Sequence, residues 1–337
     1  MEIGVEKLPF PAMAFHHWGP DDREMGVAVV KGTFGIRAGY KAYIARDQDP
    51  LLLEDVFTGD PASSSLLREQ EIAPVKIASD LTVHATARAP AEIERRDWGV
   101  SITIADRLHH GFHVFGARQW RREQRGWSLS EPEPMVELPI RYEHAYGGAV
   151  EGDVFEENPV GCGRTAPEDD PDKMSAPRIA ELGETQAAGR GTWSVRGFGP
   201  IAKTWLPCRS FAGTFDEDWL SNRHPRMPPD YSFEFWQNAP STLQIRPFLE
   251  GNETIELRGV AHEREPYRFA LPGPRLEFTT TRPDGGEARF TLMALDICHI
   301  DIDDRDREKH RLTLVWRAIF TDPQTVRSVI VRTRRSN

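Results

Sequence analysis

Cys298-His299-Ile300-Asp301-Ile302-Asp303 sets an imidazole and two carboxylates at every second position. In an extended chain this spacing puts His299, Asp301 and Asp303 on one face, where they could hold a cation or exchange a proton. The same alternation also describes an ordinary sheet with an exposed polar face, and a catalytic site needs groups from elsewhere in the fold. His109, His110 and His113 form a second cluster. His109 and His113 would share a strand face while His110 points away, and no acidic or cysteine partner is near in sequence, so the ligands of a metal site do not converge. His16-His17 carries still less. The chain has no GxSxG, HExxH, Walker or GxGxxG pattern. No metal, cofactor or catalytic residue is assigned, and the expectation is a protein that is not an enzyme.

The elements that would position these groups are mostly strands. Period-two alternation runs through 81–88, 100–104, 138–142, 255–257, 298–302 and 312–318, with one apolar and one polar side each. Gly26–Ile36 also reads as a strand. Leu276–Thr281, the turn Arg282-Pro283-Asp284-Gly285-Gly286 and the return Ala288–Ile297 read as a hairpin. Helices are few. Asp216–Arg223 is one, with Thr214 and Glu217 as a capping box and Pro225 as its stop; Ser175–Glu184 is another. The expected fold is mainly β, with antiparallel sheets in a sandwich- or barrel-like arrangement, long irregular loops and a few short helices. The organisation reads as an N-terminal β-rich half (1–150), a polar loop or linker (151–190), and an aromatic-rich segment with a C-terminal β-rich half (191–337), or as one continuous domain. Glu131–Glu137, with carboxylates spaced by prolines, reads as an extended solvated connector, and the arginines 327, 332, 334 and 335 as a frayed basic tail.

Gly197–Pro240 stands out by composition. It holds nine of the chain's 32 aromatics and six prolines in 44 residues. Large rings on a proline-interrupted backbone either plaster a loop onto the core or wait for a partner. Phe198, Trp205, Trp219, Phe235 and Trp236 are the candidate partner-binding residues. Tyr146-Gly147-Gly148 and Asn158-Pro159-Val160-Gly161 read as tight turns that need glycine, or as loops that let another backbone come close.

Bulk properties narrow the classes. A net charge of −10 over 337 residues argues against a general nucleic-acid or anionic-membrane binder. No apolar run approaches the length of a membrane span. The N-terminus lacks a secretory pattern, and Cys162, Cys208 and Cys298 have no CxxC spacing, so reduced thiols in a cytoplasm are expected.

Several motifs, in order, resemble the bacterial family known as domain of unknown function twenty-one sixty-nine. They are Val29-Val30-Lys31-Gly32-Thr33-Phe34, Asp55–Pro61, Ala73-Pro74-Val75-Lys76 with Asp80, and His113-Val114-Phe115-Gly116 with Arg118 and Trp120. Pro139-Ile140-Arg141-Tyr142-Glu143-His144-Ala145-Tyr146-Gly147-Gly148, Asn158-Pro159-Val160-Gly161 with Gly163, and Gly197-Phe198-Gly199-Pro200 through Pro240 complete the set. Cys208 beside Arg209, and Phe215, depart from the family's usual spelling. Family members are associated with type VI secretion systems. The resemblance implies an adaptor or chaperone that binds a secreted toxin effector and helps load it onto a VgrG or PAAR-type spike protein. It carries over no catalytic residues. Gly32, Tyr142, Gly147, Gly148, Asn158, Gly161, Gly199 and Pro200 are motif positions with structural roles. The acidic balance would suit a basic effector through electrostatic steering. The competing readings are a β-fold hydrolase built on the His299 or His109–His113 groups, and a carbohydrate-binding module with an exposed row of Trp205, Trp219 and Trp236.

Overall fold

Along Arg311–Thr321 the alternation turns Leu312, Leu314, Trp316, Ala318 and Phe320 to one side. This strand is the spine of the large sheet, pairing antiparallel with Ala294–Asp301 on one side and Glu24–Gly35 on the other. The computed structural model describes residues 1–124, 126–164, 174–181, 193–263 and 265–334. Among these, the large sheet runs Gln244–Ile245, Ser79–His84, Ala294–Asp301, Arg311–Thr321, Glu24–Gly35, Ala12–Trp18, with Tyr43–Ile44 added to Glu24–Gly35. Its one parallel pairing joins Ser79–His84 to Ala294–Asp301. A second, antiparallel sheet runs Ile179–Ala180, Leu108–Phe115, Asp97–Ile104, Thr254–Arg258, Tyr267–Ala270. A third runs Glu2–Val5, Ser328–Thr333, Leu276–Thr281, Thr291–Leu292.

One apolar core joins the three sheets. It includes Val30, Phe34, Leu314 and Trp316 from the large sheet, Ile102, Phe112, Leu257 and Phe269 from the second, and Phe278 and Val331 from the third. Phe10 stacks on Trp316 with ring centroids 5.9 Å apart. Gly32 makes room there, because a Cβ at this position would sit 2.7 Å from the Phe34 ring and 3.0 Å from the Phe10 ring. The fold is therefore mainly β and sandwich-like, and no sheet closes into a barrel among the described residues. The large sheet draws strands both from before residue 151 and from after residue 191. No helix among the described residues is long and apolar enough to cross a membrane.

Several local expectations change. Ser175–Glu181 is not helical; Ile179–Ala180 is an edge strand on Leu108–Phe115, and residues 182–184 lie outside the described residues, as do 165–173 and 185–190 of the expected linker. The strand expected over 138–142 is Glu137–Pro139 only, and a 3-10 turn follows at Tyr142–His144. The turn after Leu276–Thr281 forms, yet that strand's main partner is Ser328–Thr333, and the return crosses to the large sheet at Ala294. The basic tail is no loose end either. Val329 and Val331 pull Ser328–Thr333 into the core, and Arg332 pairs with Glu277 at 2.7 Å; residues 335–337 lie outside the described residues. The short helix spans Glu217–Asn222 and is capped by Asp216, whose carboxylate accepts the Trp219 amide. Thr214 instead donates to Asp230 at 2.7 Å.

Candidate functional site

The polar side of the large sheet does not face water. Lys31, Thr82, His299, Thr313 and Arg317 are all buried. The chain segment around 49–76 covers them and supplies partners to Lys31, Thr313 and Arg317. Lys31 Nζ pairs with Glu71 at 2.9 Å and donates to the Pro50 carbonyl at 2.8 Å. Arg317 pairs with Asp296 at 2.6 Å and donates to the carbonyls of Ala73 and Glu71. Buried charges persist when each is paired and hydrogen-bonded, and this layer meets that demand with backbone carbonyls as well as carboxylates.

His299, Asp301 and Asp303 do lie on this side, but they do not converge. The His299 Nδ1 meets the Thr82 hydroxyl at 2.9 Å, and burial holds the imidazole well below its ordinary pKa, so it stays neutral. Asp301 and Asp303 turn to His84 instead, at 3.2 and 3.6 Å. The expected wet face is thus a covered one for His299. The second histidine cluster splits as strand geometry requires. His110 points into the core, while His109 meets Thr103 and His113 lies 3.7 Å from Asp97. Burial pushes the His110 pKa down to about 4. Its neutral ring joins Thr242 Oγ1 (3.0 Å) to the Gly197 carbonyl (3.3 Å) and so ties the start of the aromatic segment to the second sheet. His16 meets Glu24 and His17 its neighbour's carbonyl.

The glycine motifs resolve into one internal joint. Asn158 is fully buried; its amide donates to the carbonyls of Tyr142 (2.9 Å) and Tyr146 (3.0 Å). Its own carbonyl accepts from the Gly148 and Gly161 amides. Gly147 (φ +154°) and Gly148 (φ +91°) take backbone conformations that favour glycine, and a Cβ at Gly161 would fall 2.4 Å from the Asn158 amide. The backbone that comes close to these glycines is the chain's own. Tyr142 then reaches forward: its hydroxyl donates to the Gly199 carbonyl at 2.8 Å, and its ring lies edge-on to Trp205. Phe198 and Pro200 are buried beside it, and the Phe198 carbonyl accepts the Val83 amide.

Residues 197–240 therefore form an excursion with a closed base and an open tip. At the base, the Ile201 amide donates to the Asn238 carbonyl, and the Asn238 side-chain amide donates back to the Ile201 carbonyl. Gln237 and Asn238 bind the two oxygens of Asp80 at 2.7 and 2.8 Å. Lys76 Nζ completes the knot, donating to Asp80 (2.6 Å), Glu69 (2.6 Å) and the Trp236 carbonyl (2.7 Å). Burial alone would lower the Lys76 pKa, but the two carboxylates more than offset it and keep the ammonium charged. Burial pushes Glu69 up to about 7 against the pull of Lys76.

That shift yields a pH prediction. Glu69 binds its proton more tightly folded (about 7) than at its ordinary 4.5. Its contribution to stability is therefore complete below about 4.5 and is lost as pH rises through about 7. Lys76, Asp80 and Lys203 are the charged groups that face it. Glu69→Gln should gain stability relative to the parent as pH rises, in thermal unfolding followed from pH ~5 to ~8. A constant offset between the two curves would refute this assignment.

At the tip, the rings of the sequence-selected set part company. Phe198 and Trp205 are inside, so Trp205, Trp219 and Trp236 form no exposed row. Trp219, Phe235 and Trp236 are half-buried. The residues that face solvent lie outside that set: Phe215, one of the segment's nine aromatics, is 58% exposed, and Leu220 is 61% exposed. Phe215 packs edge-on to Trp219 at 4.8 Å, and Trp219 to His224 at 5.2 Å. Arg223 anchors the short helix to Asp22 (2.9 Å) and to the Pro20 carbonyl (2.6 Å), and Arg226 joins Asp22 at 3.2 Å. The tip is thereby held beside the end of the edge strand Ala12–Trp18, where Trp18 is 50% exposed. A short helix with an outward Leu, preceded by an outward Phe, over a fixed base is suited to burying apolar surface against another molecule.

Residues 21–317 match the family described as "Uncharacterized protein conserved in bacteria (DUF2169)". No curated protein and no solved structure matches the chain.

Proposed function

We propose that this chain, which belongs to the DUF2169 family over residues 21–317, is a non-catalytic adaptor. On this reading it holds a secreted toxin effector and passes it to a VgrG/PAAR spike of a type VI secretion system. The observation that carries the reading is the tip of the excursion, where Phe215 and Leu220 stand out from a base locked by Lys76, Asp80 and Asn238. A preformed apolar projection loses little entropy on binding, which favours recognition of a folded or partly folded protein partner. The motif resemblance supports the choice of partner.

Full burial of a Phe or Leu side chain contributes about 1.5–3 kcal/mol. Phe215→Asp with Leu220→Asp should therefore weaken partner capture by roughly a hundredfold or more while leaving the unfolding midpoint nearly unchanged. Effector and spike protein recovered from the native bacterium, with the parent chain and the double variant as bait, provide the readout. Equal recovery by both chains would remove the tip from the reading, and recovery of neither protein by the parent would remove the adaptor role.

A further inference from the structure

A cavity of about 650 Å³ opens between residues 117–133 and the stretch that carries His144, Cys162 and Arg178. Arg118 and Arg178 line it. Arg118 is buried; its Nε and Nη2 both donate to the Pro177 carbonyl, and its guanidinium lies 3.9 Å over the Phe115 ring. Arg178 is half-buried and donates to the Phe115 carbonyl (3.2 Å) and the Met135 sulfur (3.3 Å). Among the described residues neither guanidinium has a carboxylate at ion-pair distance, unlike Lys31, Lys76 and Arg317 in the covered sheet layer. Guanidinium stays charged in proteins, and burying that charge without an anion is costly. Its forked donors fit a carboxylate or a phosphate.

The opposite charge is also present. Glu131 and Glu133 are exposed and line the same cavity. Glu143 lines it too, but its oxygens already accept from Ser65 and Thr58. Three arginines (118, 121 and 178) and three glutamates (131, 133 and 143) make the lining close to neutral in sum. A dianion would gain little net attraction, whereas a ligand with a carboxylate at one end and an ammonium at the other matches both sets.

We infer that this cavity binds a small zwitterion, an amino acid or dipeptide, with its carboxylate on Arg118 and Arg178 and its ammonium toward Glu131 and Glu133. The test uses the full chain with glycylglycine, acetate and inorganic phosphate, titrated by calorimetry. Glycylglycine should bind most tightly, and Arg178→Gln should weaken it roughly tenfold to a hundredfold. Glycylglycine should also slow alkylation of Cys162, which lines the cavity, and leave the buried Cys208 and Cys298 as internal controls. That second readout needs no variant, so it stands even if Arg178→Gln folds poorly. Saturable binding with protection of Cys162 supports the site. No binding by any probe, undiminished binding by Arg178→Gln, or phosphate binding tighter than glycylglycine would overturn it.

Discussion

Lys76→Met should lower the free energy of unfolding by about 3–5 kcal/mol, the cost of breaking a buried ion pair from one side. The ammonium and both carboxylates that it serves are almost wholly removed from water. Without it Asp80 keeps the Gln237 and Asn238 donors but loses its cation. Glu69 retreats by holding a proton, which limits the loss near and below neutral pH. Urea unfolding measures the effect, and hydrogen exchange locates it: the Trp236 carbonyl loses its donor, so the base of the excursion opens and amides across 203–235 exchange faster. Lys203 is the comparison. Its contact with Asp55 is 3.2 Å and partly exposed, so Lys203→Met should cost about 1 kcal/mol or less. Equal losses from the two variants would show that the buried knot holds no more than a surface pair.

Gly147→Ala should cost about 3 kcal/mol or more, from backbone strain and overpacking acting together. The new Cβ would stand 2.2 Å from the Asn158 carbonyl, at a φ of +154°. The neighbour is backbone, already fixed by the Gly148 and Gly161 amides, and cannot rotate away. Relief requires moving the pairing of Tyr146-Gly147 with Cys162-Gly163. Tyr142 would move too, and with it the hydroxyl that holds the Gly199 carbonyl. Gly152→Ala separates the two causes. Its φ is +85° but nothing lies within 4 Å of the new Cβ, so only strain remains, about 1 kcal/mol. Denaturant midpoints of the two variants decide the matter, and similar small losses would mean that the Asn158 joint yields easily.

The strands were legible because one side of each is apolar in strict alternation: Leu312, Leu314 and Trp316 could only face a core. What lay beyond them was not. The alternate side of the same strands carries Lys31, His299, Thr313 and Arg317, and polar residues read as solvated whether water or a second layer of chain covers them. The signal for a cover lay in Lys76, just before the strand Ser79–His84, and in Asp80 at its start, which pair at 2.6 Å. The link of Asp80 to Gln237 and Asn238 spans more than 150 residues, and no local pattern reveals it. The helix start shows a smaller version of the same limit. Thr214 and Asp216 are both capping types, and Asp230 engages Thr214 from across the turn. At the tip, ring size pointed to Phe198 and Trp205, which the core absorbs, whereas the exposed Leu220 is apolar but not aromatic. A leucine turned outward on a six-residue polar helix was the available sign.

Hydrogen exchange of the full chain, free and bound to the proposed effector partner, tests the central claim most directly. Protection confined to residues around 211–224 and the neighbouring end of the Ala12–Trp18 strand is the predicted result. Protection elsewhere on the surface, with Phe215 and Leu220 as open as in the free chain, would contradict it.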